Sequence, residues 1–152
     1  MKKVLIFGFS HCGTTILKCI IGHIDKVFEV IDETMDVNIK NIDNKKYDYA
    51  LIKYPQLKDK FLSDEYKDFI KIFIIRNPLY VFSSINKRKN YNLGVRHSIE
   101  KFISICDKYV NYLNNHVENL FLIKYEDIFK NKFSEIKKIF DKIGFNYSDK
   151  IF

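Results

Sequence analysis

Long apolar runs, paired cysteines and blocks of like charge are all missing from this 152-residue chain, and each absence closes off a class of protein. The opening Met1-Lys2-Lys3 leads into an apolar run of only about six residues. A signal-peptide core needs at least ~7 residues and a membrane span ~18, so neither is expected. Cys12, Cys19 and Cys106 are odd in number and widely spaced. They form neither a disulfide framework nor a metal-ligand pattern, which indicates a reducing compartment and a cytoplasmic location. No internal repeat, low-complexity tract or second domain is visible, and one domain over 1–152 is expected.

The net charge of +7 suits phosphorylated or polyanionic partners. The lysines are scattered, however, with no run of five or six like charges, as on a solvated surface. No groove-reading motif or aromatic-basic interleaving accompanies them, so neither nucleic acid nor a membrane is an expected partner. The composition, 47% hydrophobic and 30% charged, is that of a globular protein. A chain of this length buries roughly 68–70% of its unfolded surface, enough for a real core.

Against these absences stands one well-formed signal. Val4 to Phe7 reads as a buried strand, and Ile16, Leu17, Ile20 and Ile21 have helical spacing. Between them lies Gly8-x-x-x-x-Gly13 followed by Thr14-Thr15. Strand, glycine-bounded loop and helix form the layout in which backbone N–H groups and a helix dipole converge on an anion. The spacing matches the phosphate-loop template except that Thr14 stands where the lysine belongs. That lysine reaches the β- and γ-phosphates of a nucleoside triphosphate, so its absence argues for an anion lacking a γ-phosphate.

Further strands are read at Val27–Ile31, Tyr49–Lys53 (stopped by Pro55), Ile70–Ile75 and Leu120–Ile123. Ser63-Asp64-Glu65 is a candidate cap for a short helix, and Pro78 suits the first turn of another. Val95, Ile99, Phe102, Ile103, Cys106, Val110, Leu113 and Val117 recur at steps of three and four. They predict a long amphipathic helix that buries this stripe. Phe133, Ile136, Phe140 and Ile143 mark a last helix ended by Gly144. Strands alternating with helices imply an α/β fold: three layers, with a mainly parallel five-stranded sheet flanked by helices, P-loop NTPase-like.

Ligands of such sheets bind at the carboxyl ends of strands. Three polar stretches fall there: the Gly8–Thr15 loop, Lys53-Tyr54-Pro55, and Arg76-Asn77-Pro78 with Ser83 and Ser84 beyond it. An arginine and a serine eight residues apart can grip one phosphate through a guanidinium fork and a hydroxyl.

Together these stretches resemble the sulfotransferases that use 3′-phosphoadenosine-5′-phosphosulfate (PAPS). His11-Cys12-Gly13-Thr14-Thr15 is similar to that family's 5′-phosphosulfate loop, usually a basic residue followed by Ser-Gly-Thr-Thr. Phe73 through Ser84 is similar to its 3′-phosphate motif, and Lys124-Tyr125-Glu126-Asp127-Ile128 to a Tyr-Glu-Asp-Leu segment after the last core strand.

The resemblance implies sulfuryl transfer from PAPS to a hydroxyl or amine of a small-molecule, glycan or peptide acceptor, without a metal. It implies that Ser10, His11, Cys12, Gly13, Thr14, Thr15, Arg76 and Ser84 bind the donor, with His11 and Lys53 catalytic. Many members carry a histidine base two residues beyond the matching lysine, where this chain has Pro55. Glu33, in a Glu-Thr pair like that of the tyrosyl-protein branch, is therefore the expected base, with Glu29 and Asp32 as fallbacks. Cys12 replaces the usual serine, and at a helix N-terminus its thiol is expected to be acidified and oxidation-prone. The chain stops at Phe152, before the basic loop that generally closes over the donor. A non-catalytic PAPS- or nucleotide-binding module is accordingly a second reading, and a divergent P-loop kinase a third.

Overall fold

Four consecutive residues of the first strand, Val4, Leu5, Ile6 and Phe7, are at most 1% exposed. Neighbouring residues of a strand point to opposite faces of its sheet, so both faces of this one must be covered. The computed structural model describes residues 1–30, 42–55, 66–87, 98–115 and 117–152. In it β1 (Lys2–Gly8), β2 (Val27–Glu29), β3 (Tyr49–Lys53), β4 (Ile70–Ile75) and β5 (Leu120–Lys124) form one sheet. The order is β2-β3-β1-β4-β5, and every pairing is parallel. Helices α1 (Thr14–Gly22), α2 (Pro78–Asn86), α3 (Ile99–Asn114), α4 (Tyr125–Ile128) and α5 (Ser134–Ile143) complete a three-layer α/β fold.

The order explains where a ligand can enter. From β1 the chain travels outward past β3 to β2, whereas from β4 it travels the other way to β5. The connections leaving the neighbours β1 and β4 therefore diverge, opening a crevice at their carboxyl ends. Register places Gly8 beside Ile74, so the loop after β1 and Arg76 emerge at the same height.

Strands β3 and β4 have the bounds expected from their apolar runs. Strand β2 is shorter than expected, ending at Glu29; Val30 still donates to the Leu51 carbonyl at 2.9 Å, and residues 31–41 lie outside those described. The cap expected at 63–65 also lies outside them. Asn77 caps α2 by accepting from Leu79 N–H at 2.9 Å, with Pro78 in the first turn. Gly144 ends α5 in a left-handed conformation, as its position suggests.

Helix α3 corrects the sequence expectation. It buries Phe102, Ile105, Tyr109 and Tyr112, while Ile99, Ile103, Val110 and Leu113 are 45–58% exposed. Residue 95 lies outside the described set, and Val117 is partly buried. Aromatic area decides the helix's rotation. Tyr109 stacks on Phe73 at 4.4 Å between centroids, and Phe102 packs edge-on against Phe9 at 5.3 Å. Each aromatic buries more surface than an aliphatic competitor and adds a ring contact. Of the expected stripe Phe102 is buried, whereas Ile105, Tyr109 and Tyr112, which it omits, take the remaining buried positions.

Among the described residues two lysines are buried, Lys18 and Lys71. Lys71 in β4 is 2% exposed, and its ammonium donates to the Phe69 carbonyl at 3.2 Å. Burial lowers its pKa, a shift that Asp68 only partly opposes. The unfolded chain therefore holds this proton at pH values where the folded chain has released it. Stability accordingly rises with pH between the lowered value and the ordinary lysine value. Lys71→Met is expected to stabilise the fold by about 1 kcal/mol at neutral pH and to lose that alkaline rise. Urea unfolding across a pH series measures both.

Candidate functional site

The loop from Gly8 to Thr15 is shaped by two close approaches. A Cβ on Gly8 would run into the Ile74 carbonyl oxygen and stand 3.1 Å from Ile74 Cγ2, so only glycine lets β1 leave the sheet this close to β4. Gly13, at φ 99°, is the N-cap of α1; a Cβ there would meet the Tyr125 ring. His11 adopts φ 66°, unusual for a side-chain-bearing residue and a mark of strain at functional sites. The turn closes through Cys12 N–H to the Phe9 carbonyl at 3.2 Å.

This turn, the end of β3 and the end of β4 enclose one cleft of ≈380 Å³. Ser10, His11, Gly13, Thr14, Thr15, Ile16, Lys53, Pro55, Arg76, Ser84 and Tyr125 line it. These described lining residues include Lys53, Arg76 and a histidine but no carboxylate. With the α1 N-terminus opening onto it as well, the cleft is built for an anion.

Of the expected site residues that are described, all but Cys12 line this cleft, several with specific contacts. Lys53 Nζ donates to Thr15 Oγ1 at 3.2 Å. Arg76 Nη1 donates to the His11 carbonyl at 3.2 Å, and His11 Nδ1 lies 3.2 Å from Ser84 Oγ. Thus Ser84, two turns into α2, touches the loop after β1 across 73 residues of sequence. Arg76 Nε is buried without a hydrogen-bond partner among the described residues, an orphaned donor that an anionic ligand can satisfy.

Cys12 corrects a second expectation. Its side chain is fully buried rather than presented to the cleft, and burial pushes its thiol up to about 12. Hydrogen bonding from the backbone of Arg76 and Phe9 offsets only part of that shift. The helix N-terminus was visible in the sequence, but the burial that outweighs it was not. Cys12 pins the turn to the end of β4 and is not an anion donor. Exposed Cys19 is expected to react with a thiol reagent in the native state while Cys12 reacts only on unfolding; peptide mapping after brief labelling checks this.

Among the proposed bases, Glu29 is absent from the cleft lining; it pairs with Lys18 at 3.0 Å beside Gly22. Asp32 and Glu33 lie outside the described residues.

The segment after β5 contributes two groups to which sequence reasoning gave no role. Glu126 Oε1 accepts from Asn77 N–H at 2.8 Å and ties α4 to the start of α2. Tyr125 lines the cleft and carries the Arg76 guanidinium 4.2 Å above its ring centroid. The signal that could have revealed Tyr125 is register: Ile75 pairs with Lys124, which brings the next residues, Arg76 and Tyr125, side by side. That signal is readable only once β4 and β5 are known to be neighbours.

Among the described residues, no group of three His, Cys, Asp or Glu side chains could hold a metal, and no helix is long and apolar enough to cross a membrane.

The five-stranded parallel sheet with a glycine-bounded turn after β1 and an arginine ending β4 is a sulfotransferase-like fold. A solved structure of mouse sulfotransferase SULT7A1 complexed with PAP is similar over 98% of this chain, with a TM-score of 0.67 and 16% identity. This chain spans 60% of the length of that one. No family model matches the sequence, and no curated protein matches it either.

Proposed function

We propose that the protein is a sulfotransferase that moves a sulfuryl group from PAPS to a hydroxyl or amine. The observation that carries this reading is the shared cleft of the Gly8–Thr15 turn and Arg76, which gathers the turn's amides and hydroxyls and a guanidinium around one space. The residues present suit a doubly phosphorylated adenosine. The turn's backbone amides with Thr14 and Thr15 suit a 5′-phosphosulfate, and Arg76, with its orphaned Nε, suits a 3′-phosphate together with Ser84. Thr14 in place of a P-loop lysine disfavours a triphosphate and hence the kinase reading. The bound donor supplies the sulfuryl group and a stable phosphate leaving group.

The chain's own contribution is positioning and electrostatics. Lys53, held on Thr15 beside the turn, would stabilise the negative charge that builds on the oxygen leaving sulfur. His11 donates there once its ring leaves Ser84. With the donor bound, the acceptor oxygen or nitrogen would displace the phosphate oxygen from sulfur and give its proton to a base, for which Glu33 is the candidate.

Transfer of labelled sulfuryl from PAPS over a panel of hydroxyl and amine acceptors tests the reading. Lys53→Ala is expected to lower kcat about 100-fold while changing donor affinity little. Donor binding with no transfer to any acceptor would favour the non-catalytic module.

A further inference from the structure

We propose that Tyr125 is a positioning residue whose ring holds Arg76 and the Gly13 turn together as one anion-binding unit. This inference rests on the reading of the cleft as an anion site, and it adds how that site is kept ready.

The argument starts from what Arg76 lacks. No carboxylate among the described residues pairs with it, its Nε has no partner there, and its guanidinium donates from Nη1 to the His11 carbonyl. One hydrogen bond leaves a guanidinium free to swing about the donor–acceptor line. The Tyr125 ring removes that freedom by lying 4.2 Å from the guanidinium carbon. A more distant aromatic contact comes from Tyr80, at 5.9 Å.

An aromatic face suits this task better than a carboxylate. A carboxylate would take up the guanidinium's N–H fork and cancel its charge, competing with any anionic ligand. A ring attracts the cation through its quadrupole and leaves the N–H edge able to donate.

The same ring also fixes the other half of the site. It occupies the place a Cβ on Gly13 would take, with Tyr125 Cε2 2.7 Å from that position. Behind it Phe129 packs edge-on at 5.9 Å, and Phe129 in turn packs on Phe133 at 5.9 Å. Tyr125 is therefore backed by the residues that follow α4 and touches both Arg76 and the Gly13 turn at once.

The test combines a ligand-free signal with a double-mutant cycle. In NMR spectra the Arg76 Nε–H resonance is expected to be ring-shifted in wild type and Tyr125→Phe and to lose that shift in Tyr125→Leu. Calorimetric affinity for adenosine 3′,5′-bisphosphate is expected to stay within about twofold in Tyr125→Phe and to fall about tenfold in Tyr125→Leu. Placed in an Arg76→Ala background, Tyr125→Leu is expected to cost clearly less than it does in wild type, because the part that acts through Arg76 is already lost. Tyr125→Met, which keeps bulk without a π face, replaces the leucine variant if that one fails to fold. Equal loss in Tyr125→Phe, or full additivity with Arg76→Ala, overturns the proposal. If the Arg76 signal responds to inorganic phosphate but not to the bisphosphate, the adenosine reading falls and the positioning role stands. If it responds to neither, both fall.

Discussion

Arg76→Ala is expected to weaken adenosine 3′,5′-bisphosphate binding at least ~100-fold while leaving adenosine 5′-monophosphate binding nearly unchanged. The asymmetry follows from the 3′-phosphate role proposed for Arg76. It leaves β4 beside the turn that precedes α1, donates to the His11 carbonyl there and keeps a buried Nε for a ligand. Charge-assisted hydrogen bonds of this kind contribute about 1.5–3 kcal/mol each, and two of them exceed the ~2.7 kcal/mol that a 100-fold loss represents. A ligand without a 3′-phosphate has nothing to lose there. Arg76→Lys is expected to recover only part of the affinity, since an ammonium keeps the charge but lacks the planar fork. Equal losses for the two ligands in Arg76→Ala would move Arg76 out of a 3′-phosphate role.

Gly8→Ala is expected to lower stability by about 3 kcal/mol. The obstacle is the Ile74 carbonyl oxygen, which belongs to the neighbouring strand's backbone and cannot rotate aside. Relief requires β1 and β4 to part at their carboxyl ends, where the crevice begins and where Gly8 and Ile74 are in register. For a chain of this size the midpoint of thermal unfolding is expected to fall by roughly 6–12 °C. Anion binding is expected to weaken in the same variant, because the turn would start from a displaced strand. Differential scanning calorimetry with and without the bisphosphate measures both effects.

The parts of the fold that could be read from the sequence are those decided by short-range rules. Ile70 to Ile75 is a strand because six residues, five of them apolar, end at Arg76-Asn77-Pro78; Tyr49 to Lys53 is one because Pro55 stops it. The glycine pair and Thr14-Thr15 identified the turn for the same local reason. Where long-range packing decides, the sequence misled or said nothing. Helix α3 turns Tyr109 inward onto Phe73 and Phe102 onto Phe9, partners that no helical period reveals. Cys12 loses its expected acidity to burial against the end of β4. Tyr125 becomes a lining residue only through the parallel pairing of β4 with β5.

The contact between His11 and Ser84 links the two halves of the candidate site before any ligand arrives. A phosphate taken up by Arg76 and Ser84 would compete for that hydroxyl and release the imidazole toward the turn. The two anion positions are thereby expected to be coupled through His11.

The most direct measurement is a crystal structure of the chain with adenosine 3′,5′-bisphosphate. The account predicts one molecule in the cleft, its 5′-phosphate on the amides of the Gly8–Thr15 turn and its 3′-phosphate on Arg76 and Ser84. A bisphosphate bound the other way round, or bound away from Arg76, would contradict it.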